Sequence, residues 1–257
     1  MNVSMVVAAH KQYEMPKGAV YIPVHAGAEG KKSIGFIGDN TGDNISSLNP
    51  LFCELTVLYW AWKNLDYDYL GLVHYRRYFK GNNKAKSKIS SIITESEIKS
   101  LLQNTDIILP KKRYYYIETI YSHYAHTFSA KDLDITGQII AKKYPEYKDA
   151  FDRVMRRRSG HMFNMFVMKK EYVDSYCSFL FDVLFELKNR LDISNYTDFQ
   201  KRLFGRVSER LTDVWIETNN LKYVEVPVLN MEKVNWFKKG FSFLSAKFFN
   251  KKYEKSF

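Results

Sequence analysis

The sequence is poor in cysteine and has no Cys-x-x-Cys pair or cluster of cysteine and histidine. Its 257 residues include two cysteines, Cys53 and Cys177, each within an apolar stretch. Isolated cysteines of this kind are commonly buried as small hydrophobic residues. We therefore expect two buried free thiols, no zinc site and a reducing compartment.

Long hydrophobic runs are also missing. No apolar stretch approaches the roughly 20 residues that a membrane-spanning helix needs. The apolar run in the N-terminal segment MNVSMVVAAHKQYE is too short for a signal peptide and has no basic residues before it. We expect a cytoplasmic protein without a membrane span, and its 46% hydrophobic content is enough for a substantial core.

Acidic residues are outnumbered by basic ones. The chain has 39 Lys and Arg against 28 Asp and Glu, a formal charge of +11. Such an excess favours an anionic partner: nucleic acid, an acidic membrane surface or a phosphorylated substrate. Aromatic residues make up 16%, and the 19 tyrosines offer polar tips for contacts with sugars, bases or other proteins. Composition alone does not choose among these partners.

The order of the predicted elements indicates an α/β sheet. The β-branched run VSMVVAAHK predicts a buried first strand, whereas Pro23 makes VYIPVHAG a poor central strand. DYDYLGLVHY predicts a second buried strand. Between them, apolar residues three and four apart predict a single amphipathic helix, with Asn49 as its cap: Leu51, Leu55, Leu58, Trp62 and Leu65. Strands alternating with helices are typical of the α/β class.

Further helices and strands are predicted beyond residue 90. Thr94 and Glu97 have the spacing of a helix capping box. A helix broken at Pro145, a strand over 162–168 and a long helix after it come next. Another helix has Gly205 as its weak point, and YVEVPVLN predicts the last strand.

The most unusual segment is LGLVHYRRYFKG, in which a buried strand ends in histidine, tyrosine and arginine. Open α/β sheets bind ligands at the carboxyl ends of their strands. Arginine suits bidentate phosphate contacts, and imidazole can donate a hydrogen bond or bind a metal. His74, Arg76 and Arg77 therefore predict a diphosphate site, with or without a metal ion. Strand alternation would place His74 and Arg76 on the face opposite Arg77. The alternative is a basic surface turn paired with carboxylates.

Other polar residues form weaker candidates. His10 and Lys11 end the first strand, where such folds place a nucleotide base. The turn-rich loop GDNTGDN could contact a ribose or uracil or bind a cation, or be a plain loop; its candidates are Asp39, Asp43 and Asn44. Asp66-Tyr67-Asp68 has the Asp-x-Asp pattern of a cation site, but it precedes its strand, which favours a turn between helix and strand.

The acceptor-side candidates surround a later strand and the strand-end tyrosine. His161 and Asn164 lie around the start of the strand predicted near residue 162, where Asn164 could contact a sugar hydroxyl. Tyr75 lies between His74 and Arg76. We take His161, Asn164 and Tyr75 as candidate contacts to an acceptor sugar.

The C-terminal segment 233–257 is basic and aromatic. Its apolar residues recur every three or four positions among lysines, at Phe237, Phe241, Leu244 and Phe248. A lysine-rich amphipathic segment of this kind fits peripheral membrane association. The alternative is a helix packed on its own domain.

Several long strings resemble one bacterial protein family. They include NISSLNPLFCELTVLYWAWKN, GLVHYRRYF, NMFVMKKEYVDSYCSFLFDVLFEL and RLFGRVSERLTDVWI, in order from about His10 to Trp215. The family belongs to capsule, exopolysaccharide and O-antigen biosynthesis and was long catalogued as a domain of unknown function. Its members resemble glycosyltransferases, and some are assigned as UDP-galactofuranose-dependent β-galactofuranosyltransferases.

This resemblance implies a GT-A-like glycosyltransferase fold over residues 1–232, a single mixed sheet flanked by helices, followed by the amphipathic tail 233–257. It implies a UDP-sugar donor and a lipid-linked oligosaccharide acceptor at the inner face of the plasma membrane. The best guess for the transferred sugar is galactofuranose, β-linked with inversion. The segment that should bind the phosphates lacks Asp-x-Asp, so Mn²⁺ or Mg²⁺ is a candidate cofactor without an assigned ligand.

An inverting transferase needs a carboxylate that takes the proton of the acceptor hydroxyl. The candidates are Glu209, then Asp198 and Asp213, and the sequence does not separate them.

Two other functional classes stay open: a nucleic-acid-binding protein and a membrane scaffold without activity. PKKRYYYIETIYSHY mixes charge with aromatic rings as nucleic-acid platforms do, but no recognised nucleic-acid motif is present, so we expect no nucleic-acid partner.

Overall fold

The computed structural model describes residues 1–82 and 87–232; the predicted membrane-association segment 233–257 lies outside them. The strands are β1 (Val3–Ala9), β2 (Tyr21–His25), β3 (Ile37–Gly38), β4 (Tyr69–His74), β5 (Arg77–Phe79), β6 (Ile107–Pro110), β7 (Arg113–Tyr114), β8 (Ser159–Gly160), β9 (Phe166–Lys169), β10 (Val224–Val226) and β11 (Val228–Asn230). The helices are α1 (Asn49–Phe52), α2 (Leu55–Asn64), α3 (Glu95–Leu101), α4 (Ile120–Thr127), α5 (Ala130–Lys143), α6 (Pro145–Arg156), α7 (Lys170–Arg190), α8 (Asp198–Lys201) and α9 (Leu203–Thr218).

One mixed sheet organises the molecule, with the strand order β10-β6-β9-β4-β1-β2-β3. β1 is parallel to β2 and β4, and β9 runs antiparallel to both β4 and β6. β5 folds back antiparallel to β4, and β11 pairs with β5. The carboxyl ends of β1, β2, β4 and β6 therefore meet the amino end of β9 at one edge, which is where side chains can converge.

The sheet is covered on both faces, which explains the continuous hydrophobic runs of its central strands. All seven residues of β1 are buried. Val6 and Ala8 pack into a core shared with α2, α7 and α9, whereas Met5 and Val7 pack into a second core on the other face. Full burial of an aliphatic side chain stabilises the fold by roughly 1.5–3 kcal/mol. The expected mixed sheet flanked by helices is confirmed.

The single helix predicted from the spacing of Leu51 to Leu65 is in fact two helices. α1 ends at Phe52, and Cys53 has a φ of 53°, the left-handed region that a continuing right-handed helix excludes. Asn49 lies inside α1 rather than capping it, and its amide donates to the Cys53 carbonyl oxygen at 2.8 Å. α2 then starts at Leu55, so the break redirects the chain at Glu54.

Other boundaries differ in smaller ways. The break before α9 falls at Arg202, and Gly205 lies within that helix. Pro23 is accepted in β2 because the outer neighbour β3 pairs only with Val24 and His25. The last predicted strand is interrupted at Pro227.

Several local predictions are confirmed. Thr94 and Glu97 form the capping box of α3, and Pro145 begins α6. Both cysteines are free thiols; Cys177 is buried as expected, but Cys53 is only half-buried because it lies at the break between α1 and α2. Within residues 1–82 and 87–232, none of the helices has the length and apolar character needed to cross a membrane.

Candidate active site

The His-Tyr-Arg-Arg segment is a tight reversal at the carboxyl end of β4. His74 pairs with Arg77 across the antiparallel β4–β5 connection, with Tyr75 and Arg76 in the turn between them. Residues paired across an antiparallel ladder project to the same face. His74 and Arg77 therefore share a face, and the predicted alternation, which separated them, is wrong because the chain turns back at Tyr75 and Arg76.

Tyr75, in the turn, contacts three basic residues. Its ring is buried, with Arg76 5.0 Å and Lys11 5.8 Å from the ring centroid. The hydroxyl lies 3.0 Å from Nε2 of His10, at the end of β1. Desolvation lowers the pKa of His10, and so do the positive charges of Arg76 and Arg202. The structure thus brings His10, Lys11, Tyr75 and Arg76 together.

Two residues before β9 hold an unusual backbone conformation next to His74 and Arg77. Phe163 has a φ of 82° and Asn164 a φ of 51°, both left-handed and both non-glycine. Nε2 of His74 lies 2.5 Å from the Phe163 carbonyl oxygen, and the Arg77 guanidinium lies 4.7 Å from the centroid of the Phe163 ring. Such strain persists only where surrounding contacts enforce it, and it is concentrated at functional sites.

The side chain of Asn164 links this segment by hydrogen bonds to the start of α2 and to α9. Its side-chain amide donates to Oε1 of Glu54 at 2.7 Å and to the Gly205 carbonyl oxygen at 2.9 Å. Its amide oxygen accepts a hydrogen bond from the Ser208 hydroxyl at 2.8 Å. The buried amide of Asn164 therefore joins three parts of the chain: the break between α1 and α2, the segment before β9 and the first turns of α9.

The first turns of α9 bring arginines to the same region. Glu209 is buried, with one oxygen 3.1 Å from Nη1 of Arg206 and the other 2.8 Å from Nη1 of Arg210. Burial favours a raised pKa, but the guanidiniums of Arg206 and Arg210, with those of Arg113 and Arg77, hold the pKa of Glu209 below its usual value. The helix therefore carries a buried carboxylate that stays ionised among cations.

Glu54 takes part in this electrostatic cluster. Burial lowers the pKa of His74, and Glu54 is the strongest of the charges that oppose this lowering. Burial also lowers the pKa of Arg77, which Glu209 and Glu54 oppose. Next to Glu54, Arg202 donates from Nε to the Cys53 sulfur at 3.2 Å. Guanidiniums from β5 and α9 thus lie around two carboxylates, an arrangement that can bind polyanionic phosphate groups.

The loop candidates lie in a neighbouring network, which Thr56 links to the carbonyl oxygen of Cys53 at the break between α1 and α2. Both oxygens of buried Asp39 are used within the protein, accepting from the backbone of Gly27 and Ala28 and from the hydroxyls of Ser46 and Thr56. The backbone of Asp43 is held by Asn64 of α2, and Asn44 bonds within its own loop. A donor-binding role for Asp39, Asp43 and Asn44 stays a prediction.

His161 and Asp213 form a buried pair. The backbone amide of His161 donates to Asp213 at 3.0 Å, and its Nδ1 is in contact with the other oxygen of that carboxylate. Nε2 of His161 lies 3.0 Å from Glu225. Asp198 is fully exposed and 3.8 Å from Lys201. Among residues 1–82 and 87–232, no hydrogen bond or ion pair links His161, Asp198 or Asp213 to the turn after β4, and their assigned roles stay predictions.

The site contains residues that the sequence did not single out: Glu54, Arg113, Phe163, Arg202 and Arg206. The sequence did not indicate Glu54, because in the single predicted helix this residue would be one of many polar residues on the helix surface. The signal for α9 was present: Arg202, Arg206 and Arg210 recur at intervals of four, which places them on one helix face.

The collected residues do not fit a resident divalent cation. Mg²⁺ and Mn²⁺ prefer several oxygen ligands. Here guanidiniums surround the carboxylates, and the described part of the chain holds no group of three or more acidic, histidine or cysteine side chains arranged for a metal. Asp66 is exposed, and Asp68 accepts from the Asn2 backbone at 2.6 Å at the opposite edge of the sheet, so the Asp-x-Asp pattern forms a turn before β4 as predicted.

The strand order and the position of the site define a GT-A-like α/β protein. The chain belongs to the family described as "Domain of unknown function (DUF4422)", whose model matches residues 4–220. It is similar to a solved apo structure of WbbM, named as a bifunctional glycosyltransferase, with 30% sequence identity, 91% of this chain covered and a TM-score of 0.82. The chain spans 46% of that longer chain. Comparison with curated protein sequences finds no match.

Proposed function

We propose that this protein is a glycosyltransferase that moves a sugar from a UDP-sugar to a lipid-linked oligosaccharide in capsule, exopolysaccharide or O-antigen synthesis. The observation that carries the proposal is the cluster of guanidiniums at the carboxyl edge of a GT-A-like sheet. The similarity to a chain named as a bifunctional glycosyltransferase supports the same class. Galactofuranose, transferred with inversion to a β-linkage, is the sugar we propose to test first.

The diphosphate of the donor would lie against the β4–β5 turn and the start of α9. Arg76 is half-exposed and accessible to a ligand, whereas Arg77 lies over the Phe163 ring and Arg206 is paired with Glu209. Prepositioned positive charge stabilises the leaving UDP as the bond between sugar and phosphate breaks, with no reorganisation cost at that moment. His10 and Lys11, at the end of β1, would flank the nucleotide. No step in this scheme runs through a metal ion.

The test is calorimetric titration with UDP of the wild type, Arg76→Ala and Arg77→Ala. We expect saturable binding to the wild type and a loss of at least about tenfold in affinity in each variant, because each removes a charge-assisted phosphate contact. Arg190→Ala is the matched control, since Arg190 pairs with Glu186 at the end of α7 and lies outside the site.

Two arms of this titration decide the rest of the proposal. Repeating it with Mn²⁺, Mg²⁺ or EDTA tests the metal requirement, which we expect to be absent. If UDP does not bind the wild type under any of these conditions, the UDP-sugar assignment is wrong. Equal losses in Arg190→Ala would show that net charge, not the site, governs binding.

A further inference from the structure

The proposed transfer needs a group that takes the proton of the acceptor hydroxyl, and three carboxylates predicted for this role are poorly placed. Both oxygens of Glu209 are paired with guanidiniums. Both oxygens of Asp213 contact His161. Asp198 is fully exposed beside Lys201. A base must be accessible to a hydroxyl and close to the leaving group.

Glu54 meets both conditions. It is half-buried, and one of its oxygens, Oε1, accepts from the amide of Asn164 at 2.7 Å. Among residues 1–82 and 87–232, no hydrogen bond or ion pair engages its other oxygen, Oε2. Its partner Asn164 follows Phe163, whose carbonyl oxygen contacts His74 and whose ring contacts Arg77. Glu54 therefore lies beside the cations that would hold the diphosphate.

The backbone around Glu54 is arranged to present this side chain. Cys53 immediately before it has a φ of 53°, and Asn164 opposite it has a φ of 51°. Positive φ is uncommon at residues other than glycine, so contacts elsewhere must enforce both conformations. Cys53 is held by a backbone hydrogen bond of 2.9 Å to the Asn49 carbonyl oxygen, and Asn164 by Gly205 and Ser208. One of these two residues directly precedes Glu54, and the other donates the hydrogen bond to it.

We propose that Glu54 is the general base of the transfer, an inference that rests on the proposed function. The Glu54 carboxylate takes the proton of the acceptor hydroxyl as that oxygen forms its bond to the anomeric carbon of the donor. The bond between that carbon and the diphosphate oxygen breaks, and its electron pair leaves with UDP. The proton remains on Glu54 until it passes to water. Attack from the side opposite the leaving group inverts the anomeric centre.

The test compares Glu54→Gln with the wild type in two measurements. The first is the rate of UDP release from a panel of UDP-hexoses that includes UDP-galactofuranose, with octyl β-galactoside as acceptor. The second is UDP affinity by calorimetry. The glutamine keeps an oxygen for the Asn164 amide but cannot accept the proton. We expect kcat to fall by roughly 10²–10⁴-fold, with the UDP dissociation constant changed less than threefold.

Two further variants separate catalysis from structure. Glu54→Ala should recover part of its rate in added formate, since a small carboxylate can occupy the vacated space and take the proton. Glu95→Gln is the control, because Glu95 is paired with Lys99 on α3 and lies outside the site. We expect it to match the wild type.

The outcomes distinguish this inference from the proposed function. A Glu54→Gln enzyme with more than a third of the wild-type kcat overturns the assignment of Glu54 while leaving the transferase proposal standing. The assignment is overturned in the same way if Glu54→Ala is slow but formate does not accelerate it. Failure of the wild type to bind UDP overturns the proposed function itself.

Discussion

The side-chain amide of Asn164 donates a 2.7 Å hydrogen bond to the carboxylate of Glu54, 110 positions earlier in the chain. The same amide nitrogen donates to the Gly205 carbonyl oxygen, and the amide oxygen accepts from Ser208. One residue thus fixes the carboxylate that we assign to proton transfer relative to the helix that carries the arginines. A rigid supporting contact of this kind holds a reactive group in its productive geometry.

Replacing Asn164 should slow transfer without abolishing nucleotide binding. Asn164→Gly and Asn164→Ala both remove the three side-chain hydrogen bonds, so we expect kcat to fall by roughly 10–100-fold in each, with UDP affinity within threefold of wild type. The two variants should differ in stability. Asn164 has a φ of 51°, which glycine adopts freely and alanine does not, so the alanine variant should be less stable by about 1 kcal/mol.

Steady-state kinetics and urea unfolding check these two expectations. Equal stability of the glycine and alanine variants would contradict the assignment of left-handed strain at Asn164. Wild-type kcat in both would mean that Glu54 does not depend on Asn164 for its position.

The ion pair between Arg76 and Glu232 should compete with phosphate. Nε of Arg76 lies 3.1 Å from Glu232, and both side chains are more than two-fifths exposed, at 43% and 45%. Glu232→Gln removes this competitor, so UDP should bind roughly two- to fivefold more tightly by calorimetry. The gain is small because exposed ion pairs contribute at most about 1 kcal/mol.

The double variant Arg76→Ala with Glu232→Gln provides the control for this competition. In the Arg76→Ala background, the Glu232 substitution should have no further effect on UDP affinity. An equal gain in both backgrounds would show that Glu232 repels the nucleotide through space rather than by pairing with Arg76.

Asp39 should matter for stability whether or not it also contacts a donor. Its carboxylate accepts two backbone and two hydroxyl hydrogen bonds from the segments around Gly27, Ser46 and Thr56. Asp39→Asn turns one acceptor oxygen into a donor that faces other donors, which should cost roughly 2–4 kcal/mol in the free energy of unfolding. Urea denaturation measures it. Asp43→Asn, on the exposed part of the same loop, should cost less than about 1 kcal/mol; a loss as large as that of Asp39→Asn would contradict this account.

His123 should make the protein less stable as the pH falls. Burial lowers its pKa from 6.5 to about 4; the Glu118 carboxylate opposes the shift, and the charges of Arg113 and Arg210 add to it. The unfolded chain therefore binds this proton near pH 6.5 and the folded protein only near pH 4. Stability is lost between these values and no further below them, by on the order of 3 kcal/mol.

Urea unfolding of the wild type and His123→Gln at about pH 7 and pH 4.5 tests this dependence. The variant should lose less stability than the wild type over that interval. His126→Gln is the control, because this more exposed imidazole contacts the same Glu118 carboxylate. A pH dependence unchanged in His123→Gln would refute the assignment.

The sequence predicted the elements whose signals are local. The apolar runs of β1 and β4 predict strands buried on both faces, and the spacing of Thr94 and Glu97 predicts the start of α3. The cations after β4 were also found, because a strand end in an α/β sheet is a place where ligands bind. The prediction that His74 and Arg77 lie on opposite faces was wrong. The chain reverses at Tyr75 and Arg76, so the alternation of an extended strand does not apply there.

The composition and patterning of the chain by themselves determined an α/β fold with buried central strands and a basic strand end. Only the tertiary structure decided that Cys53 breaks a helix and that Glu54 meets Asn164. Helical periodicity favours one unbroken helix over this segment. The left-handed conformations of Cys53 and Asn164 oppose local preference and are maintained by contacts with residues distant in sequence. The arrangement of the site therefore depends on interactions that no local pattern encodes.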